Sequence, residues 1–326
     1  MAPLRYDCHV HLVGNGLSGS GCWLKVPGGW HRLLAEFMRR QIGLPTRLDA
    51  PEFDAAYVAN LVQLVRGSGL DRVLLLAQEE VYDDAGRKLD FGSFHVPNDH
   101  LFAVCRAHPE FVPAVAVHPS RPDALVELER CLGLGARALK LLPNCQNVDC
   151  SDRRHDAFWE RMAAAGLPFL CHTGGELTVP VMNRAYQDPR NLRRPLEIGV
   201  KVIAAHGAGR SHPFDRDHTD ALLAMMDEFP RLYADTSALN TLFRARTLRR
   251  LLLSRHRDRL LHGSDYPVPV LAGPAWRLGL CDWADARAAE RMPNLLARDR
   301  FLKEAAWVGE EHFTRLGEVL RPWPDA

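Results

Sequence analysis

The chain has 326 residues, of which 47% are hydrophobic and 25% charged, and a formal net charge of +1. That balance describes a soluble globular protein able to bury a large core without disulfide staples. It excludes the strongly basic surface of a nucleic-acid binder and any general attraction to an anionic membrane.

Short apolar runs recur along the chain and predict strands at Arg5–Leu12, Arg72–Gln78, Phe111–His118, Ala136–Leu142, Leu167–Thr173, Val200–His206, Arg231–Thr236 and Arg259–Asp265. Several are rich in Val, Leu and Ala without polar alternation, as parallel strands buried on both faces are. Amphipathic helices are predicted between them. Phe53–Arg66 sets Phe53, Tyr57, Val58, Leu61, Val62 and Val65 on one face, with Gly67 as its stop. Pro122-Asp123 opens a helix running through Leu125, Leu128 and Leu132 to Gly133, and Asp152 caps one that carries Phe158 and Met162 and ends at Gly166. Asp217–Phe229 and Ala245–Arg257 supply two more. The arginines of Arg244–Arg259 alternate with leucines at helical spacing and read as a solvated helix face.

Eight strand–helix units favour a closed (β/α)8 TIM barrel over an open sheet, with residues 1–326 as one domain. Two connections are too long for simple turns, at about 13–50 and 79–98. Both follow strands, so in a barrel both lie above the C-terminal mouth as lid or specificity elements. The glycines of the first match no phosphate-binding loop. The tail beyond Pro267, with Trp276, Trp283, Phe301, Trp307 and Phe313, is expected to form helices packed against the barrel. The eight cysteines are scattered, some inside strands (Cys8, Cys171), and Cys145 and Cys150 lack a second pair to complete a zinc site. Reduced thiols, an opening Met1–Arg5 without the apolar region of a signal peptide, and no bilayer-length apolar run point to a cytoplasmic protein.

In a strand, residues i and i+2 share a face. By that rule His9 and His11 project together with Asp7 below them, while Cys8 and Val10 point toward the helical layer. Ionisable side chains recur at later strand ends: Lys140 on the fourth, His172 on the fifth, His206 on the sixth, Asp265 on the eighth. A barrel converges these ends on one mouth, where barrel enzymes keep their chemistry. Glu79, Glu80, His118, Asp235 and Thr236 also end strands and are weaker candidates for the pocket wall. Glu176, Arg184 and Arg210 read as surface charge, and His31, His95, His100, His108, His212 and His218 as ordinary loop histidines. Trp23 is the tryptophan most suited to a ligand platform, because of its loop.

Taken in order, Asp7-Cys8-His9-Val10-His11, Lys140, His172-Thr173-Gly174, His206-Gly207 and Gly263-Ser264-Asp265-Tyr266-Pro267 make the sequence resemble the amidohydrolase superfamily. It is most similar to the branch of metal-dependent decarboxylases and lactone- or amide-cleaving enzymes, over Asp7 to Pro267. The resemblance implies that His9, His11, His172 and Asp265 bind metal, and that His206 binds a second ion or acts on substrate. In two-metal members a carbamylated lysine at the end of strand four bridges the ions, which is the role the resemblance gives Lys140. In one-metal members His206 is left free. Lys140 favours two ions; its alternative role is to bind a substrate carboxylate. A His and carboxylate set without thiolates suits Zn²⁺ best, with Mn²⁺ or Fe²⁺ as competitors. The activity expected is hydrolysis of an amide, lactone or ester-like bond of a small molecule by metal-activated water, with Asp265 moving the proton and His206 assisting at the carbonyl. Non-oxidative decarboxylation on the same scaffold is the alternative, and a non-catalytic metal-binding barrel a third reading. The resemblance is compatible with a homodimer.

Overall fold

The computed structural model describes residues 3–26 and 28–322. Of the opening Met1–Arg5 stretch, Met1 and Ala2 therefore lie outside the described residues. Eight parallel strands follow one another around a barrel: β1 (Tyr6–His11), β2 (Arg72–Leu76), β3 (Phe111–Val115), β4 (Ala138–Leu141), β5 (Phe169–Cys171), β6 (Val202–Ala204), β7 (Leu232–Asp235) and β8 (Leu260–Leu261). Each pairs with its sequence neighbour, as right-handed strand–helix–strand units require. The residues after β8 close the ring on β1, where Cys8 N donates to His262 O, Asp265 N to His9 O and His11 N to Tyr266 O. The predicted strands all form, each shortened at one or both ends.

Two apolar layers follow from the alternation. Leu74, Val112, Leu170, Ile203 and Leu261 fill the barrel interior, and the C-terminal Leu316, Val319 and Leu320 join them. The opposite strand faces pack under the helices, among them Phe53–Arg66, which buries the six predicted residues together with Asp54. The Pro122-Asp123 start holds as a helix at Ala124–Gly133, although Leu125 faces solvent. Asp152 caps a short turn, Arg153–His155, before the helix Asp156–Ala164. Two other predicted helices are shorter than expected, at Thr219–Glu228 and Ala245–Leu252. Among the described residues no helix is long and apolar enough to cross a membrane.

The face assignment in β1 needs correction. Tyr6 pairs with Arg72 and Asp7 with Val73, but Val10 pairs with Leu75 and His11 with Leu76, so Cys8 and His9 together oppose Leu74. Two residues opposing one is a β-bulge, which shifts the facing of everything on one side of it. Cys8 therefore joins the barrel interior rather than the helical layer, and Asp7 turns outward instead of lying below the histidines. There one Asp7 oxygen accepts from the backbone N of His9 and of Ser264, both at 2.9 Å, which fastens the bulge to the end of β8. Burial pushes the Asp7 carboxyl up to about 7 against those bonds.

The two long connections meet above the mouth. Trp23–Leu24 pairs antiparallel with Phe94–His95, and Val81–Tyr82 with Lys88–Leu89. The first connection also holds a helix that the glycine-rich sequence hides, Trp30–Gln41. Trp23 serves the loops rather than a ligand: its indole N–H donates to Glu80 at 3.1 Å and its ring stacks on His95.

Candidate metal centre

Strand ends and the turns after them deliver six side chains to one floor. Lys140 and His172 arrive from β4 and β5, both buried. A glycine must follow His172-Thr173, since Gly174 has φ +77° and a Cβ there would lie 2.2 Å from Gly209 O. His206 owes its direction to a left-handed turn after β6, where His206, Gly207 and Ala208 have φ of 60°, 56° and 54°. Asp265 is also left-handed, at φ +66°. Non-glycine residues held in this region cluster at functional sites, because the surrounding structure must hold them there.

The Asp265 carboxylate is the hub. Its Oδ1 lies 3.2 Å from His9 Nε2 and 3.3 Å from His11 Nε2, and its Oδ2 lies 3.9 Å from His206 Nδ1. Ligand atoms of His9, His206 and Asp265 all fall within 4.8 Å of one another. Lys140 Nζ is 3.0 Å from His9 Nε2, and His172 Nδ1 is 3.1 Å from His206 Nε2. All six predicted site residues are thus brought together.

A metal ion fits these residues. Two ligands on a tetrahedral zinc at 2.0–2.1 Å are about 3.3 Å apart, close to the 3.2 and 3.3 Å spacings around Asp265. The histidines also present lone pairs. His9 Nδ1 donates to Asp235 Oδ2 at 2.8 Å, which leaves Nε2 free for the site. His206 Nδ1 donates to Ser237 O at 3.1 Å, with Ser237 Oγ at 2.9 Å, so its Nε2 carries the lone pair, facing His172 Nδ1. Burial above all keeps both rings neutral, pushing them well below the usual histidine range; Lys140 and Arg244 add to this at His9, and Arg244 at His206. His172 is pushed down to about 3 by burial, with Lys140 and Arg244 adding to it. Burial also lowers Lys140 from its ordinary value, against the pull of Asp265 and Asp235. His172 Nε2 is buried without a hydrogen-bond partner, as a ring nitrogen left for a cation is.

Several residues read as peripheral belong to this site. Glu176 lies beside it, its Oε2 3.6 Å from His172 Nε2. Burial alone would raise that carboxyl, but His172, Arg244 and the Thr178 donors hold it down to about 2. Arg244 is buried rather than solvated; it donates to Gly175 O at 2.5 Å and lies 3.9 Å from Asp265 Oδ2. Arg184 and Arg210 are surface residues as expected, facing Asp215 and Asp217. Asp235 is behind the site, supporting His9 from below. Glu79 pairs with Arg121, His118 holds Gln146 O and Ser120 N, and Thr236 bonds Leu261 O, so none of these three lines the cavity. His31 does line it, from the lid helix. The sequence signal for Glu176 was the unbroken run His172-Thr173-Gly174-Gly175-Glu176, which returns the carboxylate to the mouth one turn after the histidine.

The fold and this floor make a TIM barrel whose strand ends carry a candidate His and Asp metal site. A sequence model described as amidohydrolase matches residues 6–300, and the chain belongs to that family, whose members are metal-dependent enzymes. No curated protein sequence matches it. Three similar solved structures share the barrel fold. An uncharacterised TIM-barrel protein from Bordetella bronchiseptica is 19% identical with a TM-score of 0.56, covering 91% of this chain and 99% of its own. A protein described as a candidate 2-pyrone-4,6-dicarboxylic acid hydrolase from Pseudomonas putida is 16% identical with a TM-score of 0.53, covering 93% and 98%. A 5-carboxyvanillate decarboxylase from Sphingomonas paucimobilis is 14% identical with a TM-score of 0.51, covering 94% and 100%.

Proposed function

We propose that the protein is a metal-dependent hydrolase that cleaves an amide, lactone or ester-like bond of a small molecule. The observation that carries this reading is Asp265, whose carboxylate lies among His9, His11 and His206 and lines the open cavity. His9, His11 and Asp265 would hold one ion, and His172 and His206 a second, with Lys140 as a carbamate between them. In a one-ion form His172 joins the first set. Zinc is the preferred metal for such donors. When bound, such an ion lowers the pKa of water to about 7 and polarises a carbonyl.

The chain's own residues supply the rest. Asp265 takes the proton of the attacking water and returns it to the leaving group, a role that needs a carboxylate facing both. Asp235 and Ser237 fix the His9 and His206 rings, so the lone pairs do not wander between tautomers. The Ser237 contact on Nδ1 favours His206 as a ligand over a hydrogen-bond donor to the carbonyl. Glu176 lines the cavity beside His172, and Arg244 holds the neighbouring Gly175 carbonyl.

Asp265→Asn tests the proton transfer with little backbone cost, because Asn tolerates a left-handed φ. Hydrolysis of responsive esters or lactones is expected to fall by about 10²–10⁴-fold with the melting temperature retained. Full activity in that variant would sink the assignment. Turnover in ¹⁸O-water separates the two reactions: label in the organic product marks hydrolysis, and CO₂ release with an unlabelled organic product marks decarboxylation.

A further inference from the structure

We infer that this site takes a neutral substrate with an extended apolar body, such as a lactone or ester bearing an alkyl chain or plain ring, rather than a di- or tricarboxylate. The inference rests on the hydrolytic reading of the floor but draws on the walls, which that reading does not use.

The cavity above the floor encloses about 1160 Å³, open mouth included. Val13, Leu44 and Leu48 of the first long connection line it, with Leu34 and Met38 of the helix Trp30–Gln41 and Phe94 of the second connection. That helix buries none of its residues, so Leu34 and Met38, each half-exposed, face the cavity instead of a core. An apolar helix face directed at empty space is a surface waiting for an apolar ligand.

The two cations that line the cavity, Arg39 and Lys25, each have a carboxylate partner. The Arg39 guanidinium grips both Glu36 oxygens and Leu44 O, and its side chain is only 11% exposed. Lys25 is paired with Asp90 and lies over the Trp23 ring. Arg244 is not among the lining residues; it lies behind the wall, donating to Gly175 O and facing Asp265 Oδ2 at 3.9 Å. Two carboxylates, Glu176 and Asp265, also line the cavity. A substrate with a second or third carboxylate would meet Glu176 or have to break the Arg39–Glu36 or Lys25–Asp90 pair, and an anion left unpaired in such walls is strongly disfavoured.

Calorimetric titration of the full-length protein, metal-free and zinc-loaded, with γ-lactones from γ-butyrolactone to γ-decalactone tests this. Each methylene buried against these walls is expected to tighten binding about fourfold in both forms, since the walls hold no metal ligand. Dimethyl isophthalate is expected to bind at least roughly tenfold more tightly than isophthalate, which must desolvate two charges. Met38→Lys is expected to weaken γ-decalactone while the variant keeps the wild-type melting temperature. A flat lactone series, no saturable binding, tighter binding of isophthalate, or wild-type γ-decalactone affinity in Met38→Lys each overturns the inference. Chain-length-dependent binding without ring opening upholds the inference and overturns the hydrolytic reading for lactones.

Discussion

Asp235 never reaches the cavity, yet its replacement by Asn should disable the metal centre. One oxygen accepts the His9 Nδ1 proton at 2.8 Å; the other accepts the backbone N–H groups of His206 at 2.8 Å and Ser237 at 3.0 Å. An amide fits neither way round. With its oxygen on the two backbone donors, its NH₂ faces the His9 Nδ1 proton, and the ring must move that proton to Nε2, losing the lone pair aimed at the site. With its oxygen on His9, the NH₂ opposes two N–H groups. Losing a charge-assisted bond to a buried ring costs about 1.5–3 kcal/mol. Orienting partners of ligating histidines change metal affinity by about 10–100-fold, or roughly 1.4–2.8 kcal/mol, and the two figures agree. Competition between the protein and a chromophoric chelator for Zn²⁺ at pH 7 reads the affinity, and thermal unfolding of the metal-free variant checks the fold. A zinc affinity within twofold of wild type would refute the orienting role.

Two further outcomes follow from buried charges away from the floor. Lys303 is fully buried, donating to Gly263 O and Asp299 Oδ2, both at 2.5 Å. Lys303→Met strands the Asp299 carboxylate and is expected to cost about 3–5 kcal/mol in denaturant unfolding. The double variant Lys303→Met/Asp299→Leu is expected to regain most of that loss, and failure to regain any would show that the ion pair is not the cause. His118 accepts from Ser120 N and donates to Gln146 O, and burial pushes its pKa down to about 4. The unfolded chain binds a proton there near pH 6.5, so stability is full above that value and falls as pH drops toward 4. The gap corresponds to at most about 3 kcal/mol. Urea titrations at pH 7 and 5 should show a smaller loss for His118→Asn than for wild type; an equal loss would exclude His118 as its source.

The barrel was legible because parallel strands buried on both faces announce themselves as apolar runs, and the site because five of the eight runs carry one of its His, Lys or Asp residues at or near their C-terminal ends. What failed was local. Alternation placed Asp7 beside His9 and His11, but one extra residue in β1 turned Asp7 away and put Cys8 in the interior. Periodicity has no term for a bulge fastened by the turn that follows β8. The helix Trp30–Gln41 was missed because its N-cap is Gly29 without a side-chain cap, and because its apolar positions face a cavity rather than a core. Arg244 and Glu176 looked like surface charge since each sits where helices and loops usually meet water. Only the closure of the barrel mouth buries them together.

The short ribbon of Trp23–Leu24 against Phe94–His95 makes the two long connections a single roof. Segments some seventy residues apart are therefore bound to diverge together, since a change in the length or pitch of one shifts the strand that the other must pair with. Transplanting a new substrate preference onto this barrel would mean moving both stretches as a matched set. Grafting either alone would leave an unpaired edge above the barrel mouth, open to water.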